Sequence, residues 1–349
     1  MSDDAEVLHL DGHEVRITNP AKIFFPALGL TKMDLVRYWL AVAEGALRSV
    51  KDRPTLLKRY PNGVDGDFFH QKRAPTSRPD WIRTVTVRFP SMRTADFLAP
   101  ADRAHIAWAV NLGCLELHPW AVRASDVEHP DEFRIDLDPT DEMTFDDVRT
   151  TARCARSVLG DHGLTGFIRT SGKRGMHILS RIRPEHEYTE VRRAALALAR
   201  EIERRLPDVA TTAWWKEERH GVFVDYNMNA RDRTLASSYS VRPTPDGRVA
   251  CPISWDELDT VDPAALTITT VPARVAKQGD PHEGMDDAVG SLQQALDLAA
   301  RDEKEGAGDA PWPPNFPKQP GEPKRVQPSK ARTDADARPK KARKDRRGR

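Results

Sequence analysis

Cysteine is scarce in this chain. Cys114, Cys154 and Cys251 are odd in number and far apart, with no CxxC, which argues against a disulfide framework and against a zinc site. Long apolar runs are missing as well. None approaches the ~20 residues that a membrane span requires, so no membrane association is expected. The acidic N-terminus lacks the pattern of a secretory signal, and a reducing cytosol is the expected compartment. No internal repeat is found. Aromatics are sparse at 7%, while charged residues reach 31% of the 349 residues, which suits a soluble protein with an unfolded appendage.

The net charge of +1 hides an asymmetry. From Lys318 onward, 13 Lys/Arg stand against 4 Asp/Glu, so this tail carries +9 and the remainder −8. The tail is rich in Pro, Lys and Arg and nearly free of aromatic and branched apolar residues, so it cannot bury enough surface to fold. It serves either as a solubilising appendage or as an electrostatic tether to a polyanion.

One stretch organises the rest: Glu132-Phe133-Arg134-Ile135-Asp136-Leu137-Asp138-Pro139. In an extended strand Phe133, Ile135 and Leu137 face a core, while Asp136 and Asp138 share the other face, about 7 Å apart along the backbone. Like charges so placed repel unless a cation sits between them. An edge strand with a wet polar face would show the same alternation. A metal-binding pair needs, in addition, a third carboxylate and groups for substrate phosphates.

Along the chain, Thr31-Lys32-Met33-Asp34 is a capping-box pattern followed by Leu35, Tyr38, Trp39 and Val42 at helical spacing, a helix of about four turns. A cation at its amino end opposes the helix dipole unless an anion docks nearby, so Lys22 and Lys32 either grip a phosphate or are simply solvated. Residues 55–60 predict a strand. Phe68 and Phe69 are adjacent aromatics in a Gly/Asp/Asn-rich segment flanked by Lys and Arg. They suit stacking on unpaired bases, or else one lies in the core and one on its rim. Strands are predicted over 81–89, 114–120 and 167–170, and helices over 101–112, from Thr144 to Gly160 and over 189–206. His118 closes one of these strands, as a structural histidine or as a site residue.

Ser171-Gly172-Lys173-Arg174-Gly175-Met176-His177 has the composition of a phosphate cradle: two glycines, a hydroxyl and two cations, though not in the Walker pattern. Residues 221–227 predict a strand delivering a third acid, Asp225. Arg231, Arg233 and Arg242 follow, and arginine suits bidentate phosphate binding, with structural salt bridges as the alternative for each taken singly. One further helix is expected over 291–300.

The order Asp-x-Asp, Ser-Gly-x-x-Gly-x-His and a strand-borne Asp resembles the archaeo-eukaryotic primase superfamily. Within it, the chain resembles the polymerase domain of bacterial ligase D, the non-homologous end-joining polymerase and primase group. The similarity runs over 10–271 and includes Asn19-Pro20-x-Lys22, Thr31-Lys32, Lys58-Arg59-Tyr60-Pro61, Phe68-Phe69, Glu116-Leu117-His118, Val222-Phe223-Val224-Asp225-Tyr226, Tyr239-Ser240-Val241-Arg242 and Pro252-x-x-Trp255. No stretch of this sequence resembles a ligase or nuclease module, so a stand-alone, actinobacterial-type polymerase is expected.

The resemblance implies an α+β (mixed α/β) fold: a primase-polymerase core with central mixed or antiparallel sheets flanked by helices. It implies an N-terminal module over 1–100, a catalytic core over 101–300 and a disordered tail over 301–349. Asp136, Asp138 and Asp225 would hold two divalent cations, Mn²⁺ or Mg²⁺. His118, Ser171, Arg174, His177, Arg219 and Arg242 would bind the nucleotide, Asn19, Lys22 and Lys32 a downstream 5′-phosphate, and Phe68 and Phe69 the template. Implied partners are gapped or broken DNA, NTPs or dNTPs, and a separate ligase or Ku. The protein would be a nucleoid-associated monomer that fills gaps, extends ends and prefers ribonucleotides. A catalytically weak end-binding scaffold is the alternative; a two-metal nuclease would not need the histidine and arginine set. Two positions depart from the family: Arg174 where lysine is usual, and Met228 where a polar residue is common. The segment between His118 and Asp136 also looks short, implying a different surface loop.

Overall fold

The structure, a computed structural model, describes residues 4–89, 92–313, 316–320 and 322–323. In chain order, β1 (Ala5–Leu10) and β2 (His13–Thr18) form a hairpin, and β3 (Ile23–Phe25) and β4 (Leu30–Thr31) a second one. Helices α1 (Lys32–Ala41) and α2 (Ala43–Val50) lead to β5 (Thr55–Arg59), β6 (Phe69–Gln71), β7 (Thr84–Arg88) and β8 (Thr94–Leu98). After α3 (Arg103–Asn111) come β9 (Cys114–Pro119), β10 (Glu132–Pro139), α4 (Phe145–Asp161), β11 (Phe167–Thr170) and β12 (Met176–Ile182). The remaining elements are α5 (Tyr188–Arg205), β13 (Ala210–Thr211), β14 (Val222–Val224), α6 (Val271–Gln278), β15 (Val289–Gly290) and α7 (Gln293–Lys304). The architecture is mixed α/β, as expected.

Two sheets carry the molecule. In the first, strands run β11-β12-β10-β14-β13, with β15 added parallel to β12. The Asp-x-Asp strand β10 is central, antiparallel to both β12 and β14. It is therefore not an edge strand, and its polar face is buried as far as Asp136 and exposed only at Asp138. Glu132 and Arg134 are buried, with Arg134 Nε donating to Glu132 Oε1 at 2.8 Å and Arg181 also reaching Glu132. Arg53 supports the same layer by donating to Asp131 at 2.8 Å. This closed ionic layer satisfies the charges along the strand until Asp136 and Asp138, where it opens.

The second sheet is built on β5, which pairs with β6 and β8 along one edge and with β9 along the other. Because β9 lies beyond residue 100, this sheet spans the expected module boundary, and one apolar core runs continuously under both sheets from Val15 to Ala299. Thr31 caps α1 through Asp34 as the pattern predicted, but the helix stops at Ala41 and restarts as α2. The capping box at Thr144 and Asp147 starts α4.

The C-terminal boundary falls later than 301. Residues 301–304 complete α7, and Trp312 is buried with the Arg192 guanidinium 4.0 Å from its ring centre. Its N–H donates to the buried Glu322 carboxylate at 2.8 Å. The remainder of the expected tail, from 324 onward, lies outside the described residues. No helix among the described residues is long and apolar enough to cross a membrane.

Candidate active site

The three acids come together at one end of the first sheet. Leu137 pairs with Val224, and the Asp225 N–H donates to the Asp136 carbonyl at 2.9 Å, so the chain exit of β14 is fastened beside the Asp-x-Asp strand. Burial raises the Asp136 carboxyl well above its usual range, and the Asp138 and Asp225 charges add to the rise. Burial likewise pushes Asp225 up to about 6, with Arg233 opposing and Asp138 reinforcing. Asp138 sits at the exposed strand exit, yet the walls around it raise its carboxyl too, against the pull of Arg219 and Lys173. The cations around these carboxylates do not offset the cost of their burial. Among the described residues no three His, Cys, Asp or Glu side chains close into a ready-made metal cage. An all-carboxylate donor set with open positions fits a hard divalent cation that takes its other ligands from phosphate oxygens and water.

Beside the acids lies a cavity of about 390 Å³, lined by His118, Asp136, Asp138, Ser171, Lys173, Arg174, His177 and Arg242 among others. The Gly-rich turn forms its floor. Gly175 is packed so closely on β10 that a Cβ there would meet the Leu137 carbonyl at 2.1 Å. Gly172 has φ +69°, and a Cβ on it would meet Arg242 Cγ at 2.5 Å. The turn is thus locked against the acid strand on one side and against Arg242 on the other. Its N–H groups at Lys173 and Gly175 are turned inward to Ser171 Oγ, at 3.2 and 3.1 Å, rather than outward as a nest. What the turn offers a ligand is the Ser171 hydroxyl proton and its cations.

The cations are not equivalent. Arg174 donates to Asp141 Oδ1 at 2.9 Å and to the carbonyls of Thr140 and Met143 at 3.1 and 3.0 Å, so its guanidinium ties the turn to the loop after β10. Lys173 stands nearer the acids and feels Arg242, Glu116 and Asp138. His177 lies directly opposite Asp136 across β10 and β12. Its Nδ1 accepts from Arg169 Nε at 3.1 Å, so Nε2 carries the proton and faces Asp136 at 3.5 Å. Burial, then the Arg169 charge, pulls His177 well below the imidazole range and keeps it neutral. Arg219, assigned by resemblance to the triphosphate, lines a different cavity of about 420 Å³ on the other side of Asp138, with Lys216. There it lies 3.6 Å from the Phe223 ring centre and donates to the Trp214 carbonyl at 2.8 Å. Met228 packs against the small apolar cluster of Leu179, Leu235 and Met285, which accounts for an apolar side chain at that position. A further cavity of about 420 Å³ between α5 and α7 holds none of the three acids.

The second sheet supplies the opposite wall. His70, Lys58 and Glu116 form one rung across β6, β5 and β9, and His118 lies two residues beyond Glu116 on the same face. Phe68 and Phe69 are 51% and 45% exposed, so neither is a core residue. Phe68 stacks on Tyr60 at 5.4 Å under the Lys58 ammonium, and Phe69 lies against the Arg59 guanidinium.

Asn19, Lys22 and Lys32 gather at the second hairpin, where the Lys32 N–H donates to the Lys22 carbonyl at 2.7 Å and the Lys22 N–H to the Asn19 carbonyl at 3.1 Å. Lys22 Nζ reaches the Pro61 carbonyl at 2.7 Å. Lys32 is buried, its ammonium donating to Thr18 O and, at 3.2 Å, to Asn111 O. Burial, then the charges of Lys22 and Arg59, bring it down to about 8. Sequence reasoning missed Arg59 and Asn111 here, and it missed Glu116 as a hub, although the Lys58-Arg59 and Glu116-x-His118 blocks were the available signals.

An acid cluster at a sheet end, faced by a basic and aromatic wall, is the arrangement of a nucleotidyltransferase of the primase-polymerase type. The family model described as LigD, primase-polymerase domain, matches residues 31–282, and the chain belongs to that family. The Multifunctional non-homologous end joining DNA repair protein LigD of Mycobacterium tuberculosis is 34% identical over 286 residues, 78% of this chain and 37% of that protein. Multifunctional non-homologous end joining protein LigD of Pseudomonas aeruginosa is 29% identical over 252 residues, 72% of this chain and 30% of that one. The chain thus spans little more than a third of the M. tuberculosis protein's length. A solved structure, the polymerase domain from Mycobacterium tuberculosis ligase D in complex with DNA, superposes with a TM-score of 0.71 at 32% identity, covering 78% of this chain and 97% of that one.

Proposed function

We propose that this chain is a DNA-dependent nucleotidyltransferase of DNA repair that fills short gaps and extends broken ends, preferring ribonucleotides. The observation that carries the reading is the placement of Asp136, Asp138 and Asp225 at one sheet end, with Asp136 and Asp138 lining a cavity together with Ser171, Lys173, His118 and Arg242. Two divalent cations, Mn²⁺ or Mg²⁺, held by the three acids would supply Lewis acidity to the attacking hydroxyl and the reacting phosphate.

The chain's own groups do the rest. Lys173 and Arg242 meet the triphosphate charge, and Ser171 donates its hydroxyl proton to the nucleotide. His118 forms the sugar and base wall, and Arg174 braces the turn. His177 orients Asp136. Phe68 and Phe69 stack on template bases, and Asn19, Lys22 and Lys32 gather a downstream 5′-phosphate. A DNA ligase activity and Ku are its proposed partners in the repair.

Gapped DNA incubated with labelled ribonucleotides and Mn²⁺ tests the reading. Extension supports it, whereas binding without extension indicates a scaffold and shortening indicates a nuclease.

A further inference from the structure

Glu116 is fully buried at the centre of the second-sheet wall. That is a costly place for a carboxylate unless both oxygens are paired. Here both are. Oε1 accepts from Lys58 Nζ at 2.7 Å, and Oε2 accepts from His118 Nε2 at 3.2 Å and from Arg242 Nη1.

Backbone pairing delivers each partner. Lys58 stands opposite Glu116 in the register of β5 and β9. His118 follows two residues along β9 on the same face. The segment bearing Arg242 is stitched to β9 on either side of Glu116: Val241 N–H donates to the Leu115 carbonyl, and Leu117 N–H to Ser240 Oγ, both at 3.1 Å. The three bases together hold the Glu116 carboxyl down at about 2 against the opposing effect of its burial. Burial keeps His118 below the usual imidazole range, so its ring is neutral and has a defined tautomer.

We propose that Glu116 is a positioning residue for the nucleoside triphosphate: it aims the Arg242 guanidinium and holds His118 in the Nε2–H tautomer, leaving Nδ1 as an acceptor for a donor on the nucleotide. The inference rests on the nucleotidyltransferase reading of the cavity. Glu116 itself does not touch the substrate, because its oxygens are taken by the protein. Without it, the Lys58 ammonium and the Arg242 guanidinium face each other with no charge between them and splay apart. A nucleotide would then have to organise groups that are now preset, and the cost appears as lost affinity.

Glu116→Gln keeps the shape and removes the charge. Equilibrium binding of a fluorescent ribonucleoside triphosphate, gapped-DNA binding and extension kinetics are measured on the full chain. Losing charge-assisted hydrogen bonds raises the nucleotide Kd and KM by about tenfold or more, with kcat at saturation and the Kd for gapped DNA each within about threefold. Arg242→Gln combined with Glu116→Gln is no worse for nucleotide binding than Arg242→Gln alone. An unchanged nucleotide Kd overturns the inference, as does a parallel loss of nucleotide affinity, DNA affinity and thermal stability. A ¹⁵N NMR spectrum of the His118 ring in the wild type reads the tautomer without any variant; an Nδ1–H ring overturns the inference even where the variant fails to fold. A wild type that neither binds nucleotide nor extends DNA overturns the underlying reading instead.

Discussion

At the scale of single residues, the site is a set of groups held away from their ordinary protonation. Asp136 and Asp225 carry raised carboxyl pKa values because they are buried beside like charges. Asp136→Ala therefore removes the proposed metal-binding carboxylate without removing a structural ion pair. Extension should fall by about a thousandfold or more, as expected when several kcal/mol of transition-state stabilisation is lost. A filter-binding or anisotropy measurement should find DNA affinity nearly intact. Lys32 works in the opposite sense. Its folded pKa of about 8 lies below the ordinary lysine value because of burial and its cationic neighbours. A lysine loses its charge as pH rises through that value, so the preference for a 5′-phosphorylated over a 5′-hydroxyl gap should be full near pH 7 and fade above pH 8. The ratio of the two dissociation constants across pH 7 to 9 checks this, and a flat ratio removes Lys32 from the phosphate site.

At the scale of elements, the Gly-rich turn works because it is pressed onto β10. Gly175→Ala places a methyl group 2.1 Å from the Leu137 carbonyl, so the turn must lift away. The expected result is a loss of about 1–3 kcal/mol in stability, read by thermal melting, together with weaker nucleotide binding. Gly160→Ala is the control. It lies near the end of α4 with nothing within 4 Å of a new Cβ, and it should stabilise by about 0.5–1 kcal/mol. Much of this level was legible in the sequence. The capping boxes at Thr31 and Thr144 start real helices, and alternation located β10. What stayed hidden was long-range: the sequence leaves a wet and a buried polar face of β10 equally open, and only Arg53 and Arg181 folded onto Glu132 decide between them. The hub at Glu116 is equally invisible, since its partners Lys58 and Arg242 lie 58 and 126 positions away. The β1–β2 hairpin escaped because its strands are short and largely exposed on one side.

At the scale of the molecule, one core joins both sheets, so the acid end of the first and the aromatic wall of the second are held as a unit. The basic tail stands apart from this chemistry in the sequence. A truncation at Lys318 would take away Glu322, whose carboxylate accepts from the Trp312 N–H, so the cut belongs after Pro323. That shortened chain should bind DNA more weakly and with a shallower salt dependence, while nucleotide addition at saturating DNA is unchanged. The most direct measurement of the central claim is single-turnover extension of a one-nucleotide gap by Asp225→Asn beside the wild type. Asp225 is the acid farthest in sequence from the other two, and only the fold brings it to them. Convergence of the three acids predicts loss of extension by about a thousandfold with gapped-DNA affinity within about twofold. Extension at the wild-type rate by Asp225→Asn would contradict it.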